Sequence, residues 1–140
     1  MTCEYCVEIG GELLWAGRDC RVVLAPEPEF PGFCRVIWQR HVKEMSDLTR
    51  AERQHFMAVV FALEGVLRDV LQPEKINLAS LGNMTPHLHW HVIPRFADDS
   101  RFPAPVWAPA CRPSPGRRLP AQWPEHLRQS LVGVLNADGV

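Results

Sequence analysis

A chain of 140 residues favours a single domain, and 46% hydrophobic with 22% charged residues is enough to bury a core and stay in solution. The formal net charge of -1 excludes a broad attraction to nucleic acid or to an anionic membrane, so any nucleotide must be held by a local site. No apolar run approaches the ~20 residues that span a bilayer, and the acids within residues 1–9 do not fit a secretory signal; the expectation is a cytoplasmic protein.

At the N-terminus, Cys3 and Cys6 form a C-x-x-C pair, a metal or redox candidate. The cysteines number five, which argues against a disulfide framework; Cys20, Cys34 and Cys111 read as small apolar fillers. Leu13 to Ala16 and Arg21 to Leu24 are short apolar stretches around Gly17-Arg18-Asp19, the pattern of a hairpin. Ala25 to Gly32 reads as a loop and Phe33 to Trp38 as a strand. From Thr49 to Leu71 the period becomes helical. Thr49 and Glu52 form a capping box, and Phe56, Val59, Val60, Leu63, Val66, Leu67 and Val70 draw one apolar stripe. Pro73 stops this helix. Ile76 to Leu81 and His87 to Pro94 read as strands on either side of a Gly82–Pro86 turn. Residues 102–120 are proline-rich and read as an extended surface segment, and Pro124 opens a last short helix with Leu127, Leu131, Val134 and Leu135 inward. Strands, one long helix, then more strands predict an α+β fold with an antiparallel sheet of about five strands. The expected division is a domain over 1–100 and an extension over 101–140 packed on it.

The segment His87-Leu88-His89-Trp90-His91-Val92-Ile93-Pro94 carries the chemistry. On a strand, alternate residues share a face, so the three histidines line one side while Leu88, Trp90 and Val92 can pack beneath the helix. A lone histidine on a strand is usually structural; three in strict alternation behind a Gly-Asn-Met-Thr-Pro turn point to a site. In-line imidazoles suit metal binding or nucleophilic and acid–base work on a phosphoryl group.

This segment resembles the His-x-His-x-His-x-x signature of the histidine-triad (HIT) superfamily, in its bacterial hydrolase form. Pro94-Arg95, the strand-and-histidine segment Arg35 to His41 and the Cys3/Cys6 pair are also similar to that family, so the likeness spans residues 3–95. It implies a HIT-like fold and a homodimer paired through the long helix and adjoining strand. The implied reaction is attack by His89 on the α-phosphorus of a purine nucleotide or nucleotide conjugate, through a nucleotidyl-histidine intermediate. His91 would serve the phosphate oxygens or leaving group; Gly82, Asn83 and Asn77 would contact phosphate. Two positions depart from the pattern: Gly32-Phe33 stands where relatives have Gly-His, and Glu27 takes the place of the ribose-binding aspartate.

Some members of the family hold a structural zinc through residues that match Cys3, Cys6, His41 and His87 here, and two thiolates with two imidazoles suit tetrahedral Zn²⁺. His55 and His126 read as solvated, and Trp107 as the cover of a surface groove. Two other readings compete with the hydrolase or nucleotidyltransferase: a metal-handling protein, and a zinc-binding nucleotide-binding adaptor with little turnover.

Overall fold

The structure, a computed structural model, describes residues 2–116, 119–137 and 139. Its elements are α1 (Glu4–Val7), β1 (Glu12–Ala16), β2 (Cys20–Leu24), β3 (Cys34–Trp38), α2 (Arg50–Leu71), β4 (Lys75–Ala79), β5 (His89–Arg95) and α3 (Trp123–Ala137), with a 3₁₀ turn at Met45–Asp47. The five strands form one antiparallel sheet in the order β1-β2-β3-β5-β4. The expected α+β architecture is present. The last helix is longer than the sequence suggested, at 15 residues.

Helix α2 begins where its cap dictates. The Thr49 hydroxyl accepts from the Glu52 N–H, and the Glu52 carboxylate accepts from the Thr49 N–H at 2.8 Å. Phe56, Val59, Val60, Leu63, Val66, Leu67 and Leu71 are its buried residues, and each such side chain contributes about 1.5–3 kcal/mol on burial. Their cover is internal, from the sheet and from Leu127, Leu131 and Leu135 of α3. The stripe on α2 therefore needs no second subunit to bury it. Val134, expected inward, is 37% exposed because the buried α3 residues recur at four-residue steps and leave it on the flank. Arg128 of α3 donates to the Leu13 carbonyl and to Glu12 at 3.0 Å, fastening α3 over the β1 edge. The β4 edge, by contrast, pairs only with β5 among the described residues.

The two faces of the sheet do different work. Leu88, Trp90 and Val92 join the core with α2. The opposite face is covered at one end by α1 and at the other by the chain after β5. There Ala25, Phe30, Phe33, Ile93 and Val106 form a separate apolar cluster. Arg95 and Asp99 hold this second cover down: the guanidinium donates to Asp99 at 2.8 and 3.1 Å, to Asn77 at 2.9 Å and to the Ala104 carbonyl at 2.7 Å. Residues 101–108 are therefore folded in turns against the sheet around a buried Val106, while residues 109–116 are exposed as the expected surface segment.

Several local readings are corrected. Strand β5 begins at His89, because the His87 N–H turns back to the Thr85 carbonyl and leaves the ladder. Strand β4 starts at Lys75 and ends at Ala79. Cys20 and Cys34 are buried, but Cys111 is exposed, its thiol against the Phe102 carbonyl at 3.7 Å. The ring of His55 meets Trp38 edge-on at 6.4 Å and is half-buried. His126 is exposed. No helix among the described residues is long and apolar enough to cross a membrane.

Candidate functional site

His87, His89 and His91 lie on the face away from α2, and all three are buried. Carbonyl oxygens only accept, so the partners of the rings assign their protons. His89 Nδ1 lies 2.6 Å from the His87 carbonyl, so Nδ1 carries the hydrogen and Nε2 keeps its lone pair. His87 Nε2 lies 2.5 Å from the Trp38 carbonyl, so Nε2–H donates there and the Nδ1 lone pair is left. The Nδ1 of His91 is buried with no partner.

Burial, above all, holds these histidines neutral. His89 is pushed below the ordinary imidazole range by desolvation, with Arg35 and His87 adding to the effect against the His87 carbonyl and Glu4. His91 is pushed down to about 3 by desolvation, then by His89 and Arg35. The walls are aromatic. Tyr5 meets His89 edge-on at 5.1 Å and His87 at 5.9 Å, Phe33 meets His91 at 5.7 Å, and Trp107 meets His91 at 5.1 Å. Trp107 therefore stands beside a triad histidine while remaining 52% exposed.

Cys3, Cys6, His41 and His87 converge, their ligand atoms all within 4.8 Å of one another. His87 Nδ1 lies 3.2 Å from Cys3 Sγ, 3.6 Å from Cys6 Sγ and 3.2 Å from His41 Nδ1, and Cys6 Sγ lies 3.4 Å from His41 Nδ1. Zn–N bonds of about 2.0–2.1 Å and Zn–S bonds of about 2.3 Å give tetrahedral edges of about 3.3 Å for N···N, about 3.6 Å for N···S and about 3.8 Å for S···S, so the four distances above fit zinc. The lone pair of His87 faces this centre because its other nitrogen is occupied by Trp38, the outer-shell arrangement that orients a ligating histidine. Arg21 fixes α1 from below, donating to the carbonyls of Tyr5, Glu8 and Ile9 at 2.9–3.1 Å. These bonds bring residues 3–7 onto the sheet.

The expected substrate residues are dispersed. Gly82 has φ +79°, in the left-handed region that glycine adopts freely, and Asn83 beside it is exposed. The Asn77 side-chain oxygen accepts from Arg95 at 2.9 Å, which leaves its NH₂ to donate to a ligand. It lines a cavity of about 530 Å³ with Ala79, Pro103, Pro105 and Trp107 at the open β4 edge. Glu27 lines a different cavity of about 800 Å³ with Glu12, Leu24, Leu119 and Trp123, to which no triad histidine contributes. Sequence reasoning passed over Tyr5, Arg35 and Ser80. Ser80 donates to the His89 carbonyl at 2.8 Å, and Arg35 pairs in register with His91. The alternation of β3 signalled Arg35, since it shares a face with Ile37.

The HIT domain family matches residues 8–98. A protein of Mycobacterium tuberculosis named AP-4-A phosphorylase is 32% identical over 98 residues, covering 66% of this chain and 50% of that relative. The chain thus spans about half the length of the curated relative it matches. Among solved structures, a histidine triad (HIT) protein of Sinorhizobium meliloti 1021 superposes with a TM-score of 0.73 at 24% identity, covering 94% of this chain and 95% of that one. A histidine triad family protein of Mycobacterium smegmatis, described as Zn-bound, has a TM-score of 0.67 at 20% identity and covers 97% of each chain. At these identities the likeness carries the fold.

Proposed function

The chain belongs to the HIT domain family, and on that footing we propose that it is an enzyme that cleaves a nucleotide derivative at its α-phosphate through a nucleotidyl-histidine intermediate on His89. One observation carries the reading: His89 donates Nδ1–H to the His87 carbonyl at 2.6 Å, leaving an unprotonated Nε2 in a site that keeps the ring neutral. Nε2 attacks the α-phosphorus, a P–N bond forms, and the P–O or P–N bond to the leaving group breaks with its electron pair leaving on that group. Positive charge then developing on the ring is stabilised by the same Nδ1–H bond. Water or inorganic phosphate next attacks phosphorus, and the electrons of the P–N bond return to Nε2. The relative named AP-4-A phosphorylase supports a dinucleoside polyphosphate as substrate class.

His91 is a phosphate-oxygen contact, Gly82 and Asn83 form the loop that approaches phosphate, and Asn77 offers its NH₂ from the neighbouring cavity. Glu27 lines a cavity without a triad histidine, which supports assigning ribose recognition to other groups. A zinc on Cys3, Cys6, His41 and His87 would have four protein ligands and no open position, so it would supply folding energy. His87 would then serve two purposes, ligating through Nδ1 and orienting His89 through its carbonyl. The open β4 edge and Phe61, 56% exposed on α2, support a homodimer built on that edge, which sedimentation should register as twice the mass of the chain. Five free cysteines suit a reducing cytoplasm.

Incubation with diadenosine tetraphosphate, quenched and weighed intact, should reveal an adenylyl adduct in the wild type and none in His89→Ala. His89→Ala should lose turnover while still binding AMP. Retained turnover in His89→Ala would remove His89 from the role of nucleophile. Binding without any adduct or turnover in the wild type would favour the adaptor reading.

A further inference from the structure

Arg35 differs from the other arginines that touch the sheet. Arg21 has four acceptors, three of them main-chain carbonyls. Arg95 makes four bonds, two to Asp99 and one each to Asn77 and the Ala104 carbonyl. Arg35 has a buried Nε with no partner and no ion pair among the described residues; its guanidinium lies 5.3 Å from the Phe33 ring centroid. A buried donor left unmade costs about 1–3 kcal/mol or more when charged, so the Arg35 Nε calls for a partner from outside the chain.

A second orphan faces it. Arg35 is the direct cross-strand partner of His91, whose Nδ1 is also buried without a partner. Opposite residues in an antiparallel pair place their Cβ atoms roughly 4.5–5.5 Å apart on one face. One group with several acceptor oxygens and negative charge can therefore satisfy both. The register also says where that group sits. His89 pairs with Ile37, so the Arg35–His91 pair lies one same-face step, roughly 7 Å, along the strand from the attacking histidine. The His89 and His91 rings meet edge-on at 4.9 Å, so a phosphorus attached to His89 lies beside His91, with Arg35 one strand further over. The next phosphoryl group of a phosphoanhydride reaches Arg35.

We propose that Arg35, with His91, seats the phosphoryl group adjacent to the attacked phosphorus, and so selects phosphoanhydrides over conjugates whose leaving group is a neutral amine. The inference rests on the reading of His89 as nucleophile. Before the displacement the seated group is the leaving phosphate. In a phosphorolytic turnover, incoming inorganic phosphate occupies the same place. The protonation states agree with this assignment. His91 is neutral, so the permanent positive charge beside it is that of Arg35. A departing phosphate leaves as a stable anion and needs a cation, whereas a departing amine needs a proton.

The test compares wild type, Arg35→Met and Arg35→Lys on two substrates that share the adenylyl group: diadenosine tetraphosphate and adenosine 5′-phosphoramidate. Removing a charge-stabilising donor typically costs about 10²–10³-fold. Arg35→Met should therefore lower kcat/KM for the anhydride by about 10²-fold and for the phosphoramidate at least tenfold less. Arg35→Lys should recover part of the loss, which a purely structural role would not produce. With inorganic phosphate replacing water as acceptor, its KM should rise in Arg35→Met if phosphate is used; if water alone is used, the anhydride loss stands by itself. Equal losses on both substrates, or none on the anhydride, would overturn the proposal. Failure of the underlying reading looks different, because the wild type would then form no adduct with either substrate. Calorimetry with inorganic pyrophosphate still decides the site in that case: weaker binding to Arg35→Met upholds it and equal binding sinks it.

Discussion

Asp99→Asn should unfasten the second cover of the histidine face at a large cost in stability. Asp99 and Arg95 have side chains only 6% and 2% exposed, so water does little to screen the pair. Oδ2 accepts from Arg95 Nε at 2.8 Å, while Oδ1 accepts from Arg95 Nη2 and from the N–H groups of Arg101 and Phe102 at 2.9 and 2.7 Å. Asparagine keeps the shape but turns one oxygen into a donor. Whichever way the amide lies, NH₂ meets either the guanidinium or two backbone N–H groups. Breaking a buried pair by removing one charge costs about 3–5 kcal/mol, because the other charge stays behind uncompensated. For a domain of this size that corresponds to a fall in Tm of roughly 10–20 °C. The acid limb supplies a second check. Burial pushes the Asp99 carboxyl up, but the hydrogen bonds from Arg95, Arg101 and Phe102 and the charge of Arg95 outweigh it and hold it below the ordinary value. The pair thus contributes stability above the ordinary carboxylate range and loses it as pH falls through the lowered value, so the variant should lack that component. Urea unfolding at neutral pH and on the acid side of the ordinary carboxylate value measures both. A change under about 1 kcal/mol at neutral pH, the scale of a solvent-exposed pair, would refute the reasoning.

Two other outcomes follow from the same geometry. Protein purified without chelator should carry one zinc per chain by elemental analysis, and stripping it, or substituting Cys6→Ser, should lower Tm measurably; a metal-free chain with unchanged Tm would exclude the site. His91, neutral in the folded chain with its value near 3, is protonated in the unfolded chain below about 6.5. Between those values the unfolded state binds more protons, so stability falls as pH falls, by up to about 1.4 kcal/mol per pH unit from this group. His91→Gln should flatten that slope, and equal slopes in the two proteins would show that His91 is not neutral by burial.

How much of this was legible depends on whether a residue's role is local. The cap of α2 lies within four residues and was readable from Thr49 and Glu52, as was the apolar stripe behind it. The alternation of His87, His89 and His91 was readable because a strand's period is two, although His87 itself leaves the ladder. The side chains of Cys3, Cys6, His41 and His87, which the family resemblance implied as metal ligands, lie with their ligand-type atoms within 4.8 Å of one another. What escaped were long-range roles. Arg35 shares a face of β3 with Ile37, but that it stands opposite His91 shows only when β5 is laid beside it. Val106 and Trp107 sit in a proline-rich stretch that reads as surface, yet the Arg95 clamp pulls it onto the sheet. Glu27 was singled out from the family resemblance by its place after a strand, and it lines a cavity with Leu119 and Trp123 to which no triad histidine contributes.

The segment over residues 3–7 bears on how the protein is handled and altered. The family match begins only at residue 8, yet the turn before it supplies two of the four metal-type ligands and the Tyr5 ring against His89. Expression with a bulky leader, or trimming to the conserved boundary, would leave the signature histidines untouched and still strip one wall from their chamber. Glu4 adds to this, its charge acting on His89 and its carboxylate 3.4 Å from Thr85 in the loop after Gly82. The turn over residues 4–7 is thus part of the wall around His89, and a change there would alter that wall without touching a triad residue.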